Sequence, residues 1–235
     1  MKRLIKRLFN AFGLDIIRLN KSPQYTLLGL KNLPIKTIID VGANEGQFVK
    51  MISKFFPGAK IYSFEPLPES YKKLEILSDK MKEKLKPFNL ALGEKEGFIE
   101  MFYHKEHSPS SSFLKTTNTC EAIYPFTKEQ EPVQVKISTL DKCIKDFDIT
   151  LEPEILIKLD VQGYEDRVIR GGMETFKKAK ACILEVCLDT LYEGQADFRM
   201  LNDMLYNLGF HYAGNLNQFY SDDGHVIFVD ELFLK

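Results

Sequence analysis

Two carboxylates, Asp40 and Glu65, each stand at the tip of a short apolar run in the stretch Thr37 to Pro66. Between them lies a glycine-bearing turn, Gly42-Ala43-Asn44-Glu45-Gly46, and an amphipathic segment. Glycines in such a turn let the backbone approach a ligand at a helix N-terminus. A pyrophosphate-binding turn needs glycine at the middle place of G-x-G-x-x-G, where this chain has Asn44. Asp40 is the second departure, since a carboxylate there repels phosphate but attracts an ammonium. Glu65 follows Gly42 by 23 residues, near the spacing expected of an acid that grips a ribose diol. A nucleoside with a phosphate-free cationic tail fits these residues, and S-adenosylmethionine is such a molecule.

A second set of polar residues lies further along, in Lys158-x-Asp160-x-x-Gly163-x-Glu165, with Glu185 in the next apolar run. Lys158 and Asp160 are two apart and share one strand face. Asp160 or Glu165 can serve as a general base for an acceptor hydroxyl, with Lys158 orienting an oxygen or pairing a carboxylate. Alternatively Asp160 and Glu185 share a hard divalent cation, for which carboxylates without His or Cys suit Mg²⁺. The metal-free reading is preferred, because two or three carboxylates make a thin coordination set. His104, His107 and His211 are rival bases.

The elements that must position these groups alternate. Strands are expected at Thr37–Val41, Lys60–Phe64, Pro87–Ala91, Phe98–Tyr103, Val133–Ser138, Ile155–Leu159, Ala181–Val186 and Val226–Phe233. Helices are expected at Gln47–Phe56, Glu69–Met81, Leu140–Phe147, Tyr164–Gly171, Met173–Lys178 and Phe198–Leu208. Such alternation predicts an α/β domain with a mostly parallel sheet covered by helices on both faces, its last strand entering antiparallel. Strand ends in such a sheet face the ligand crevice. The stretch from His104 to Pro132 has no period and reads as a lid, with Phe113, Tyr124 and Phe126 able to close over a ligand.

Thirty-two Lys+Arg against 33 Asp+Glu give no global drive toward nucleic acid. Cys120, Cys143, Cys182 and Cys187 show neither zinc spacing nor a disulfide framework. No run reaches the ~20 apolar residues of a membrane span. Residues 1–34 form an appendage that begins with a basic amphipathic helix, and residues 35–235 form one domain. Leu4, Ile5, Leu8, Phe9 and Phe12 share a face of that helix, with Lys2, Arg3, Lys6 and Arg7 on the others. The stretch lacks the apolar core of a signal peptide, so a cytoplasmic location is expected. The helix either caps its own domain or rests, through residues 1–21, on an anionic membrane or lipid-linked substrate.

Five motifs occur together in order: Asp40-Val41-Gly42-Ala43-Asn44, Phe64-Glu65-Pro66 with Leu74 after it, Asn89-x-Ala91-Leu92-Gly93, Ser138-Thr139-Leu140-Asp141, and Lys158-x-Asp160-x-x-Gly163-x-Glu165. Over roughly residues 35 to 230 the chain resembles the FkbM family of S-adenosylmethionine-dependent methyltransferases. The resemblance implies a Rossmann-like class I sheet of seven strands with an antiparallel last strand. It implies O-methylation, commonly of sugar hydroxyls or secondary metabolites, so the partner is a small-molecule or glycan acceptor with a free hydroxyl. By position, Asp40, Gly42, Asn44 and Gly46 border the methionine part of the cofactor, Glu65 holds the ribose, and Asn89 and Ala91 lie near adenine. Ser110–Ser112 precede the substrate side. Two other functions compete: a cofactor-binding module without turnover, and a nicotinamide-dependent oxidoreductase, against which Asp40 and Asn44 argue.

Overall fold

The computed structural model describes residues 2–235. Mostly apolar segments of five to seven residues, rich in Ile, Val and Leu, make its buried strands, as expected where both sheet faces are covered. In chain order the strands are β1 (Thr37–Val41), β2 (Lys60–Phe64), β3 (Leu85–Phe88), β4 (Ala91–Leu92), β5 (Gly97–Tyr103), β6 (Glu131–Ser138), β7 (Ile155–Leu159), β8 (Ala181–Cys187), β9 (His211–Tyr220) and β10 (Val226–Leu234). The helices are α1 (Lys2–Asn10), α2 (Pro23–Thr26), α3 (Gln47–Ile52), α4 (Pro68–Met81), α5 (Asn118–Ile123), α6 (Leu140–Asp146), α7 (Glu165–Gly171), α8 (Met173–Lys178) and α9 (Phe198–Asn207).

Seven strands form one sheet in the order β3-β2-β1-β7-β8-β10-β9. β1, β2, β3, β7 and β8 run parallel, while β10 is antiparallel to both β8 and β9. Successive strands leave β1 on opposite sides, toward β2 and toward β7, so the crevice at the carboxyl ends opens between them. Alternation along β1 divides the core. Ile39 and Val41 join one buried cluster with Val168, Phe176 and Leu205, and Ile38 joins the other with Val49, Ile52 and Leu74. Asp40, at the parity of Ile38, therefore lies on the α3 side.

Three findings depart from the expectations. β4, β5 and β6 leave the main sheet and form a separate three-stranded one, ordered β4-β6-β5. Strand β9 was not expected; its polar sequence and three register irregularities against β10 hide the period of two that marks a strand. The connector to the N-terminal helix is also part of the core, since Leu27 and Leu30 are buried with Ile38, Leu216 and Leu232. The stretch after His104 is ordered by short helical turns and by bridges from Phe102 to Ser112 and Thr116 to Tyr192.

Candidate active site

The turn after β1 is glycine-bearing for a reason the sequence does not reveal. Gly42 has φ +75°, and a Cβ on it would lie 1.9 Å from the carbonyl oxygen of Asp160. The turns after β1 and β7 therefore touch backbone to backbone, which only glycine permits. The amides of this turn serve the protein itself. Those of Gly42 and Ala43 donate to the Phe64 carbonyl at 3.1 Å each, and that of Asn44 donates to Glu65 Oε2 at 2.8 Å. Gly46, at φ +78°, ends the turn beneath Leu74 and Leu77 and lines neither cavity described below.

Glu65 is buried, and its other oxygen accepts the Leu67 amide at 2.8 Å. Burial pushes this carboxyl up to about 7, against the pull of those two amides. Each oxygen keeps a second lone pair, and the side chain borders a cavity of about 60 Å³. Val41, Phe64, Leu90, Leu92, Met101 and Phe113 give that cavity apolar walls. Ala91 lines it too. Asn89 does not; its amide donates to the carbonyls of Glu65 at 3.0 Å and Pro66 at 2.9 Å, fixing the turn that aims Glu65. Ser108, Pro109 and Ser111 lie over the same cavity, with Ser108 Oγ 3.4 Å from the Asn44 side chain. Of the three aromatic residues expected in a lid, Phe113 reaches the cavity, whereas Tyr124 packs with Cys120 and Tyr192 and stands 5.7 Å from Phe126 between ring centroids.

A second cavity of about 410 Å³ lies on the α3 side. Its polar lining is Gln24, Asn44, Gln47, Lys158, Asp160, Asn217 and Asp230, and its apolar lining includes Leu27, Phe48, Met51, Ile183 and Leu216. The two cavities share Gly42, Asn44, Pro109 and Asp160, which stand at their junction.

Strand register explains the polar row between them. Asp40 pairs with Ser63 on β2 and with Lys158 on β7, while Glu185 on β8 pairs with Asp230 on β10, and Asp230 with Asn217 on β9. Lys158 Nζ donates to the Gly42 carbonyl at 3.0 Å and ion-pairs with Asp160 at 3.2 Å and Asp40 at 3.5 Å. Burial alone would lower the lysine, but Asp160 and Asp40 outweigh it and hold Lys158 above the ordinary lysine range. Burial raises Asp40, whose Oδ1 accepts no hydrogen bond. Glu185 is raised well above the ordinary range by burial, with Asp160, Asp230 and Glu165 crowding it. Burial also raises Asp230, which accepts the Asn217 amide at 2.9 Å; Asn217 in turn accepts from Gln24 at 2.7 Å.

Gln162, unremarked in the sequence, holds this row together. At φ +56° it projects Nε2 to Asp160 Oδ1 and Glu185 Oε1, 2.7 Å from each, and Tyr192 Oη donates to its Oε1 at 2.6 Å. An amide donor thus stands between the two carboxylates that the sequence offered as a cation pair. Among the described residues, no three His, Cys, Asp or Glu side chains converge as a cation site. Glu165 does not line either cavity. It is buried, with Oε1 accepting the amides of Val161 at 3.0 Å and Gly163 at 3.3 Å. It braces the turn that carries Asp160 and Gln162. His104, His107 and His211 line neither cavity.

Gln24, Gln162, Asn217 and Asp230 went unnoticed as site residues. One signal was available: Asp230-Glu231 interrupts the apolar run of β10 and is a costly place for acids without a task.

The Methyltransferase FkbM domain model matches residues 40–212. The chain is 28% identical over 187 residues to the 2-O-methyltransferase NoeI of Sinorhizobium fredii, covering 76% of this chain and 74% of that protein. It is 22% identical over 186 residues to Methyltransferase 1 of Beauveria bassiana, covering 75% and 72%. The crystal structure of a methyltransferase FkbM from Methylobacillus flagellatus matches with TM-score 0.54 at 12% identity, over 86% of this chain. This chain spans only 44% of that one, and at such identity the likeness concerns the fold. The family match, with the cavity at the topological switch, favours a methyltransferase over a nicotinamide oxidoreductase. The chain belongs to the FkbM methyltransferase family and is an S-adenosylmethionine-dependent methyltransferase.

Proposed function

We propose that this methyltransferase methylates a hydroxyl of a sugar-bearing acceptor held in the larger cavity, with Asp160 as the general base. The observation that carries the reading is the position of Asp160 at the junction of the two cavities, beside a row of other carboxylates. The name of the relative NoeI, a 2-O-methyltransferase, supports oxygen as the acceptor atom.

The residues fit the cofactor in their chemistry. Glu65 can take the ribose hydroxyls on its free lone pairs, and apolar walls beside it suit adenine. Asp160, at the junction, supplies negative charge toward a cationic tail, whereas Asp40 is fully buried, lines neither cavity and pairs with Lys158. In size, a cavity of about 60 Å³ holds only a few water molecules. When bound, S-adenosylmethionine supplies an electrophilic methyl group. The protein's part would be to hold the acceptor oxygen in line with that methyl group and to remove the hydroxyl proton.

Asp160 takes that proton on Oδ1, using the lone pair that the Gln162 amide leaves free. Lys158 holds the other oxygen and fixes the carboxylate's orientation. Gln162 keeps Glu185 and Asp160 apart in charge and together in space. On the far side, Asn217 and Gln24 present amides and Asp230 a carboxyl, which suit the several hydroxyls of a sugar.

The test is transfer of labelled methyl from the cofactor to matched acceptors bearing sugar hydroxyls, simple alcohols, amines or thiols. Label on the sugar oxygen is expected. Label confined to amines or thiols overturns the reading.

A further inference from the structure

Residues 5–21 do not pack on the domain. Every residue from Ile5 to Lys21 is exposed. Ile5, Leu8, Phe9, Phe12, Leu14 and Leu19 show between 37% and 74% of their surface. Exposed apolar side chains scattered singly are ordinary, but this many within fifteen residues form a patch that calls for a covering surface. In α1, Ile5, Leu8 and Phe9 fall on one arc at helical spacing, while Arg3, Lys6 and Arg7 fall on the rest.

Charge decides what covers it. Residues 2–21 hold six cations, Lys2, Arg3, Lys6, Arg7, Arg18 and Lys21, against one acid, Asp15. The remaining chain holds 26 basic and 32 acidic residues. A net +5 therefore sits at one end of a body with net −6. Two copies of so cationic a segment repel each other. A planar anionic surface attracts the segment, repels the body, and needs no shaped groove for an apolar arc that continues into extended chain.

We propose that residues 2–21 dock this enzyme on an anionic lipid bilayer, with the apolar arc of α1 at the acyl boundary and the basic residues among the headgroups. The segment ends three residues before Gln24, which lines the larger cavity, so docking brings the mouth of that cavity to the membrane surface. The docking itself does not depend on the acceptor proposed above.

The full chain is sedimented with vesicles of phosphatidylcholine alone, or with about 30 % phosphatidylglycerol, at low and high salt. At least tenfold stronger binding to the anionic vesicles is expected, weakening as salt rises. The double variant Leu8→Ser/Phe12→Ser loses at least tenfold of it, and Arg3→Glu/Arg7→Glu abolishes the anionic preference. Both variants keep binding S-adenosylhomocysteine by calorimetry, which shows that their domain is folded. Binding to neither vesicle, equal binding to both, or binding that survives the substitutions overturns the proposal. So does salt-resistant self-association through the segment with no vesicle binding.

Discussion

The two cavities that meet at Asp160 are built on opposite principles. The smaller keeps about 60 Å³ of space beside Glu65, whose carboxylate accepts the amides of Asn44 and Leu67, while those of Gly42 and Ala43 bond the Phe64 carbonyl. The larger, about 410 Å³, is lined by side chains gathered from distant elements, among them the raised carboxyl of Asp230, which accepts the Asn217 amide. The difference separates a pocket made for one invariant ligand from a chamber that can vary. The first is preorganised from short-range motifs on β1 and β2. The second is assembled from α2, α3, β7, β8, β9 and β10, of which β7 leads into the turn that also lines the first.

Asp160 belongs to both regions, so altering it has the largest expected effect. Asp160→Asn should lower kcat by about 10²- to 10³-fold while S-adenosylhomocysteine affinity changes little. A loss in affinity with kcat retained would move Asp160 wholly to the nucleoside side.

Glu65→Gln sharpens the contrast from the other side. Cofactor affinity should fall about tenfold, because a charge-assisted acceptor of the ribose hydroxyls becomes a neutral one. The wild type should also bind the cofactor more tightly as pH rises through about 7, where Glu65 ionises, and the variant should lack that dependence. Calorimetry across pH 6 to 8 reads both effects. The stability of the free enzyme runs the opposite way. Glu65 and Glu165 both rise from an ordinary 4.5 to about 7, so the folded chain holds more protons than the unfolded one between those values. Their contribution is full below 4.5 and is lost as pH rises to 7, so thermal unfolding followed over that range should show a falling Tm.

Glu165 tests whether the junction needs an acid or only an acceptor. Glu165→Gln can still accept from Val161 and Gly163 and should retain most activity. Glu165→Ala leaves two buried amides unpaired, and should cost about 1–3 kcal/mol and lower Tm by a few degrees. Equal loss of kcat in both variants, with Tm unchanged, would make Glu165 a base after all.

The smallest effect is expected at the chamber wall. Asn217→Ala removes one hydrogen bond to Asp230 and should raise the acceptor KM about fivefold, leaving cofactor affinity alone. Steady-state kinetics with the acceptor varied reads it.

The same division governs what the sequence discloses. β1, β2, β7 and β8 are legible because short runs of mostly apolar residues, bounded by turns, permit little else. Glu65 is legible because its distance from the turn is fixed by one βαβ unit. Asp230, Asn217 and Gln24 are not, because what joins them is the register between β9 and β10 and the return of the N-terminal segment across the sheet. β9 itself carries two glycine- or asparagine-rich interruptions at a sheet edge, where burial imposes no period. Gln162 depends on a left-handed backbone angle that no residue type announces, since glutamine seldom adopts it. Glu165 was legible as an acid at a strand-to-helix turn, but whether it faces the crevice or the turn beneath it is a matter of a single rotamer.

The backbone contact between Gly42 and Asp160 has a consequence for how damage spreads. With only 1.9 Å between a hypothetical Cβ and that carbonyl, position 42 works as a gauge of the spacing between the two turns. Any larger residue there pushes the β7 turn outward before it meets a ligand. Its kinetic signature is then that of a mispositioned base rather than of a blocked cofactor. Changes at residues 42 and 160 are predicted to be strongly non-additive, because the first already spends what the second would lose.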